Sequence, residues 1–83
     1  MSNVSVEEIS KRLLAIAGVH HVEAQGDGYH YQLIVVSDKF EGLQRVKREQ
    51  WVYAQLVDWI TAGQLHAVTM KTWTVAEWEQ NHG

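Results

Sequence analysis

Two strand-like segments of this chain are separated by a helical stretch far too long to be a turn, and that spacing decides most of what the sequence can fold into. The first segment, Tyr29 to Val36, alternates: Tyr29, Tyr31, Leu33 and Val35 share one face, and His30, Gln32, Ile34 and Val36 the other. The second runs from Leu65 to Trp73. Between them lie a polar connection, Ser37 to Gly42, and a helix from about Leu43 to Ala62 that Gly63 closes. A crossover of that length lets the two strands lie parallel in one sheet. Upstream, Gly26-Asp27-Gly28 is a hairpin signal, so Val19 to Gln25 reads as a strand antiparallel to Tyr29–Val36.

Helix ends are written just as plainly. Ser5-Val6-Glu7-Glu8 is a capping box that opens a helix over about residues 6–17, with Val6, Ile9, Leu13 and Ala17 on one stripe, Ile16 at its edge and Gly18 as its stop. Thr74-Val75-Ala76-Glu77 is a second capping box, opening a short C-terminal helix with Trp78. The residues beyond, His82 among them, are expected to fray. In the long helix, Leu43, Val46, Tyr53, Leu56, Val57 and Ile60 form the apolar stripe expected to face the core, with Gln50 inside it. Arg48, Trp51, Gln55 and Trp59 fall on the opposite surface. The reading is one α/β (α+β) domain over residues 1–83, with a three-stranded mixed sheet and helices on one face.

Composition narrows the function classes. At 83 residues the chain has room for one core, burying about 60–65% of its unfolded surface. The absence of cysteine excludes a disulfide scaffold, a thiolate zinc site, a cysteine nucleophile and an iron–sulfur cluster held by this chain's own sulfur. A net charge of −3 confines any nucleic-acid surface to a local basic patch. No apolar run is long enough to span a bilayer, and the N-terminus lacks the features of a secretion signal, so a cytoplasmic location is expected.

No nucleophile–base pair or phosphate loop is visible, and the 10 carboxylates scatter over helix faces and turns. The 5 histidines are more informative. His20 and His21 are adjacent, so in a strand they point to opposite sides and cannot chelate one metal. His30 follows the hairpin turn, where it can either donate to a backbone carbonyl or act as a ligand. His66 stands at the helix-to-strand junction, either partly buried or facing a partner. A lone metal site of His30 and His66 would be poor without a carboxylate or thiolate. Lys39, Arg45, Lys47, Arg48 and Trp51 form a cationic, aromatic set that suits a phosphate backbone and a stacked base, a protein partner, or plain solvation.

The residues Gly28-Tyr29-His30-Tyr31-Gln32-Leu33-Ile34-Val35-Val36-Ser37, Phe40-Glu41-Gly42, Arg45-Val46-Lys47-Arg48, Val52-Tyr53, Leu65-His66-Ala67, Lys71-Thr72, Thr74 and Glu77-Trp78 together resemble the BolA family. The short hairpin turn and the Arg-Val-Lys-Arg-x-Gln run are most similar to its IbaG (YrbA) branch. The match spans roughly residues 19–78 in one register. It implies an αββαβα fold related to the class II KH domain, and a non-enzymatic role in iron–sulfur trafficking and stress response. The implied partner is a monothiol glutaredoxin, with a 2Fe-2S cluster shared at the interface.

The family's histidine before the last strand falls on His66, and the ligand from the hairpin-loop region falls on His30. Asp27 takes the approximate place of the loop cysteine found in other members. Lacking thiols, this chain would supply imidazole nitrogen while the glutaredoxin cysteine and glutathione supply sulfur, which makes retention of the cluster pH-sensitive. The run Lys47-Arg48-Glu49-Gln50 stands where many relatives carry an Arg-His pair, Glu49 adds negative charge there, and a Gly-x-x-Gly clamp is missing, which weakens the alternative of a DNA- or RNA-binding regulator. The free chain is expected as a monomer or weak homodimer.

Overall fold

The computed structural model describes residues 3–82 of the chain, with the side chain of His82 outside the description. Helix α1 (Val6–Leu14) leads to strands β1 (Val19–Gly26) and β2 (His30–Ser37), a single 3-10 turn (Asp38–Phe40), helix α2 (Arg45–Thr61), strand β3 (Ala67–Trp73) and helix α3 (Val75–His82). The sheet order is β1-β2-β3, with β1 antiparallel and β3 parallel to β2. This is the expected mixed three-stranded sheet, with α2 as the crossover. The expectation of helices on one face describes α1 and α2, which carry the core. From α3, Trp78 packs on His21 and near Trp73 (ring centroids 5.0 and 6.4 Å away), and both lie on the opposite face in register with Val36.

Both capping boxes form. Ser5 Oγ accepts from the Glu8 amide (3.1 Å) while Glu8 Oε2 accepts from the Ser5 amide (3.0 Å). The Thr74–Glu77 pair does the same (3.1 and 2.9 Å). Helix α1 stops three residues earlier than its apolar stripe suggests. The Ile16 amide bonds to Leu13 O, the tighter i→i−3 closure, and Gly18 at φ 93° turns the chain into β1.

The core is Ile9, Leu13, Tyr31, Leu33, Val35, Phe40, Val52, Leu56 and Leu65, with Met70 at its margin. Phe40 corrects the reading of residues 37–42 as a polar connection. Its ring is fully buried and meets Trp51 edge-on at 5.8 Å, so the loop anchors itself in the core.

A larger correction concerns α2. Its expected apolar stripe is only partly inside: Leu56 is buried and Ile60 packs on the core, but Val46 and Val57 are 62% and 56% exposed. Trp51 and Trp59, expected outside, pack against the core, and Gln55 is half-buried. The physical reason is area. Turning two indoles inward removes more apolar surface from water than turning two valines inward. The polar residues alongside are satisfied from elsewhere, since Arg12 of α1 lies 3.4 Å over the Trp59 ring and its guanidinium grips Asp58 (2.6 and 3.1 Å) and Gln55 O (3.1 Å).

Tyr31 is pinned: its ring is buried and its hydroxyl donates to Val4 O at 2.6 Å. Gly26 lies directly beneath, and a Cβ there would come within 2.7 Å of the Tyr31 ring and 3.0 Å of His30 O. We expect Gly26→Ala to cost about 1–3 kcal/mol, lowering the urea midpoint without changing the slope. An unchanged midpoint would mean that the ring is free to yield.

Candidate functional site

The expected ligands His66 and His30 lie at one end of the sheet, each with its ring against that of Tyr29. Gly63, at φ 77°, lets the chain leave α2, and the Gln64 and Leu65 amides bond back to Trp59 O at 2.9 and 3.2 Å. Leu65 then plugs into the core. The next side chain, His66, is exposed immediately before β3 rather than within a strand beginning at Leu65.

On the other side, the hairpin turn places Tyr29 and His30. Gly28 takes φ 95°, and Asp27 Oδ1 accepts from the amides of Tyr29 (2.9 Å) and His30 (2.8 Å). Those amides, His30's foremost, hold the Asp27 carboxyl below its usual range. Asn3 Nδ2 donates to Gly28 O across the same turn. The first rung of the parallel pairing, from the Ala67 amide to Tyr29 O (3.3 Å), draws Tyr29 alongside His66. The Tyr29 and His66 rings stack at 5.2 Å and 26°, while Tyr29 meets His30 edge-on at 4.8 Å and 80°.

Both imidazoles are exposed, and among the described residues no group hydrogen-bonds to their nitrogens. No cluster of three or more His, Cys, Asp or Glu capable of holding a metal occurs among the described residues. The donor set thus fits a group whose remaining ligands come from another molecule, and does not fit a self-contained centre.

Asp27, expected in the approximate place of a loop cysteine, has one carboxylate oxygen committed to the turn. The local sequence pattern marks Tyr29 only as a strand residue. Its partnership with His66 depends on the parallel register, which no local pattern reveals.

The other histidines are engaged separately. His20 Nε2 pairs with Asp38 (2.7 Å), whereas His21 Nε2 pairs with Glu23 (2.9 Å) and its ring lies against Trp78.

The basic set expected on one surface is dispersed. Arg48 is largely enclosed, bonding to Leu43 O (2.8 Å), Thr72 O (3.2 Å) and both oxygens of Glu77 (2.7 and 3.3 Å). This corrects its assignment to the outer surface, as does the packing of Trp51 on Phe40. Arg45 is bonded to Glu49 at 3.0 Å. Lys39 and Lys47 are exposed, but they are no longer joined by Arg48 and Trp51 into one cationic, aromatic face.

The BolA-like protein family model matches residues 3–77. Acid stress protein IbaG of Escherichia coli K12 is 37% identical over 81 residues, covering 98% of this chain and 93% of that one. Among solved structures, a bolA protein homologue from Coxiella burnetii superposes with a TM-score of 0.80 at 28% identity, covering 92% and 97% of the two chains. The BolA domain of SufE1 from Arabidopsis thaliana gives 0.75 at 27% identity, covering 87% and 93%.

The Arg48–Glu77 pair generates a pH prediction. Its Arg48 hydrogen bonds, followed by the Thr74 amide, lower the Glu77 carboxyl from an ordinary 4.5 to about 2. A depressed folded value adds stability above the unfolded pKa, lost as the pH falls from about 4.5 towards 2. We expect Glu77→Gln to reduce stability at pH 7 by on the order of 1 kcal/mol, allowing for screening of its part-exposed carboxylate, and to flatten this acid limb. Urea midpoints measured against pH test this; parallel curves for wild type and variant would refute it.

Proposed function

The chain belongs to the BolA-like protein family, and from that premise we propose that it is a non-enzymatic adaptor that co-ligates a 2Fe-2S cluster with a monothiol glutaredoxin, in iron–sulfur trafficking. One observation carries the reading: two exposed imidazoles, His66 and His30, flank a single phenol ring at one end of the sheet.

The chemistry follows from the donor set. Each neutral imidazole offers one in-plane nitrogen lone pair, and exposure leaves a partner free to approach it. With no cysteine in the chain, sulfur must come from the glutaredoxin and glutathione. The cluster is then cargo, held only while both proteins are engaged. His66, fixed between buried Leu65 and the first rung of β3, is the primary ligand of the pair. His30, on the hairpin, is the second. A fold that also occurs as a domain of SufE1 suits an accessory role of this kind. No helix among the described residues is long and apolar enough to cross a membrane.

The test is anaerobic reconstitution of wild type and His66→Ala with a monothiol glutaredoxin and glutathione, followed by visible absorption and circular dichroism. Wild type should give a mixed complex whose cluster spectrum differs from that of the glutaredoxin homodimer. In His66→Ala the spectrum should revert to the homodimer's. If wild type leaves the homodimer spectrum unchanged and forms no complex, shared ligation is wrong.

A further inference from the structure

Tyr29 occupies a position that the ligand reading leaves without a role. Its side chain is 57% exposed, so it contributes little to the core, yet its backbone is held from both sides. Its amide donates to Asp27 Oδ1 at 2.9 Å, and its carbonyl accepts from the Ala67 amide at 3.3 Å. The neighbouring Asp27 amide bonds to His30 O at 3.2 Å, closing the turn around it. A large ring is thus fixed at the mouth of the hairpin with its face against His66 and its edge relation to His30 set.

We infer that Tyr29 is a positioning residue for the two imidazoles, an inference that rests on the shared-ligation reading and deepens it. Stacking engages the π face of His66, whereas ligation uses a lone pair in the ring plane. The phenol therefore restricts rotation of the imidazole without occupying its nitrogens. A ligating histidine commonly has its orientation fixed by a hydrogen bond from its second nitrogen. Among the described residues His66 has no such bond, and the Tyr29 ring performs the orienting task through its face. The same ring limits the swing of His30, so the two donors keep a set relation before any partner arrives. Binding then loses less side-chain freedom than it would with two unrestrained exposed histidines. The hydroxyl has no part in this, so phenylalanine should serve as well as tyrosine.

Two readouts test the inference on wild type, Tyr29→Ala and Tyr29→Phe, with His66→Ala as reference. In the free protein, the ring current of Tyr29 should displace the His66 ring-proton resonances upfield, a displacement lost in Tyr29→Ala and kept in Tyr29→Phe. In the mixed glutaredoxin complex, Tyr29→Ala should still yield the mixed spectrum but lose the cluster about 2- to 13-fold faster, the range one aromatic pair's contribution converts to, and Tyr29→Phe should restore the lifetime. Identical His66 resonances in wild type and Tyr29→Ala would overturn the inference. So would an unaltered lifetime in Tyr29→Ala when His66→Ala abolishes the mixed spectrum, and shared ligation would then stand without it. A wild type that forms no mixed complex would remove both.

Discussion

The parallel pairing of β3 with β2 is the constraint on which the rest of the molecule depends. It forces the chain to return across the sheet through α2, and its first rung, from the Ala67 amide to Tyr29 O, brings His66 to the hairpin. It also creates a free edge. Since Ala67 points its amide to β2, the outward backbone groups of β3 belong to Val68, Met70 and Thr72. Helix α2 covers part of that edge with side chains. Tyr53 donates its hydroxyl to Val68 O (3.0 Å), and Arg48 donates to Thr72 O (3.2 Å). An uncovered edge strand invites pairing with another chain, and these two side chains, with exposed Lys71 on the strand itself, blunt that tendency.

That edge adds a second reason, beside the area the two indoles bury, why the orientation of α2 departs from its apolar pattern. A helix whose Arg48 and Tyr53 reach the β3 carbonyls must present Val52 and Leu56 to the core and leave Val46 and Val57 in water. Local amphipathicity counts the aliphatic residues and favours burying them, but it carries no information about carbonyls on a strand formed later in the chain. Arg48 and Trp51 illustrate the same limit. As types they suit a nucleic-acid face. In the fold, Glu77 and Phe40, both remote in sequence, absorb them.

Legibility of the sequence accordingly followed the range of the interactions. Capping boxes, the Gly26–Gly28 turn and the element order depend on residues within a few positions of one another, and all were readable. The buried status of Phe40 was hidden because its neighbours Asp38, Lys39 and Glu41 are charged and exposed, and one anchoring ring leaves no periodicity. At the site, His66 and His30 were found through the resemblance. The stretch Gly63-Gln64-Leu65 could not say whether His66 would be buried, because that is decided by Leu65 entering the core. Tyr29 was missed for the most non-local reason of all, a contact that exists only once two strands from opposite sides of α2 have paired.

The character of the site follows from where those strands meet. Among the described residues this sheet end gathers no group of three or more His, Cys, Asp or Glu that could hold a metal, so the two histidines do not make a closed centre there. Closed structural metal centres bring four protein ligands and become part of folding itself. Two nitrogen donors at an exposed edge cannot give such a centre, yet they can bind weakly and release readily when a partner completes or withdraws the coordination. The core, the pinned Tyr31 and the Arg48–Glu77 pair draw on neither of the histidines proposed as ligands. Stability on its own and an incomplete donor set are the two properties that the proposed carrier role asks of the chain. The first traces to that core, and the second to His66 lying exposed on the residue just before β3.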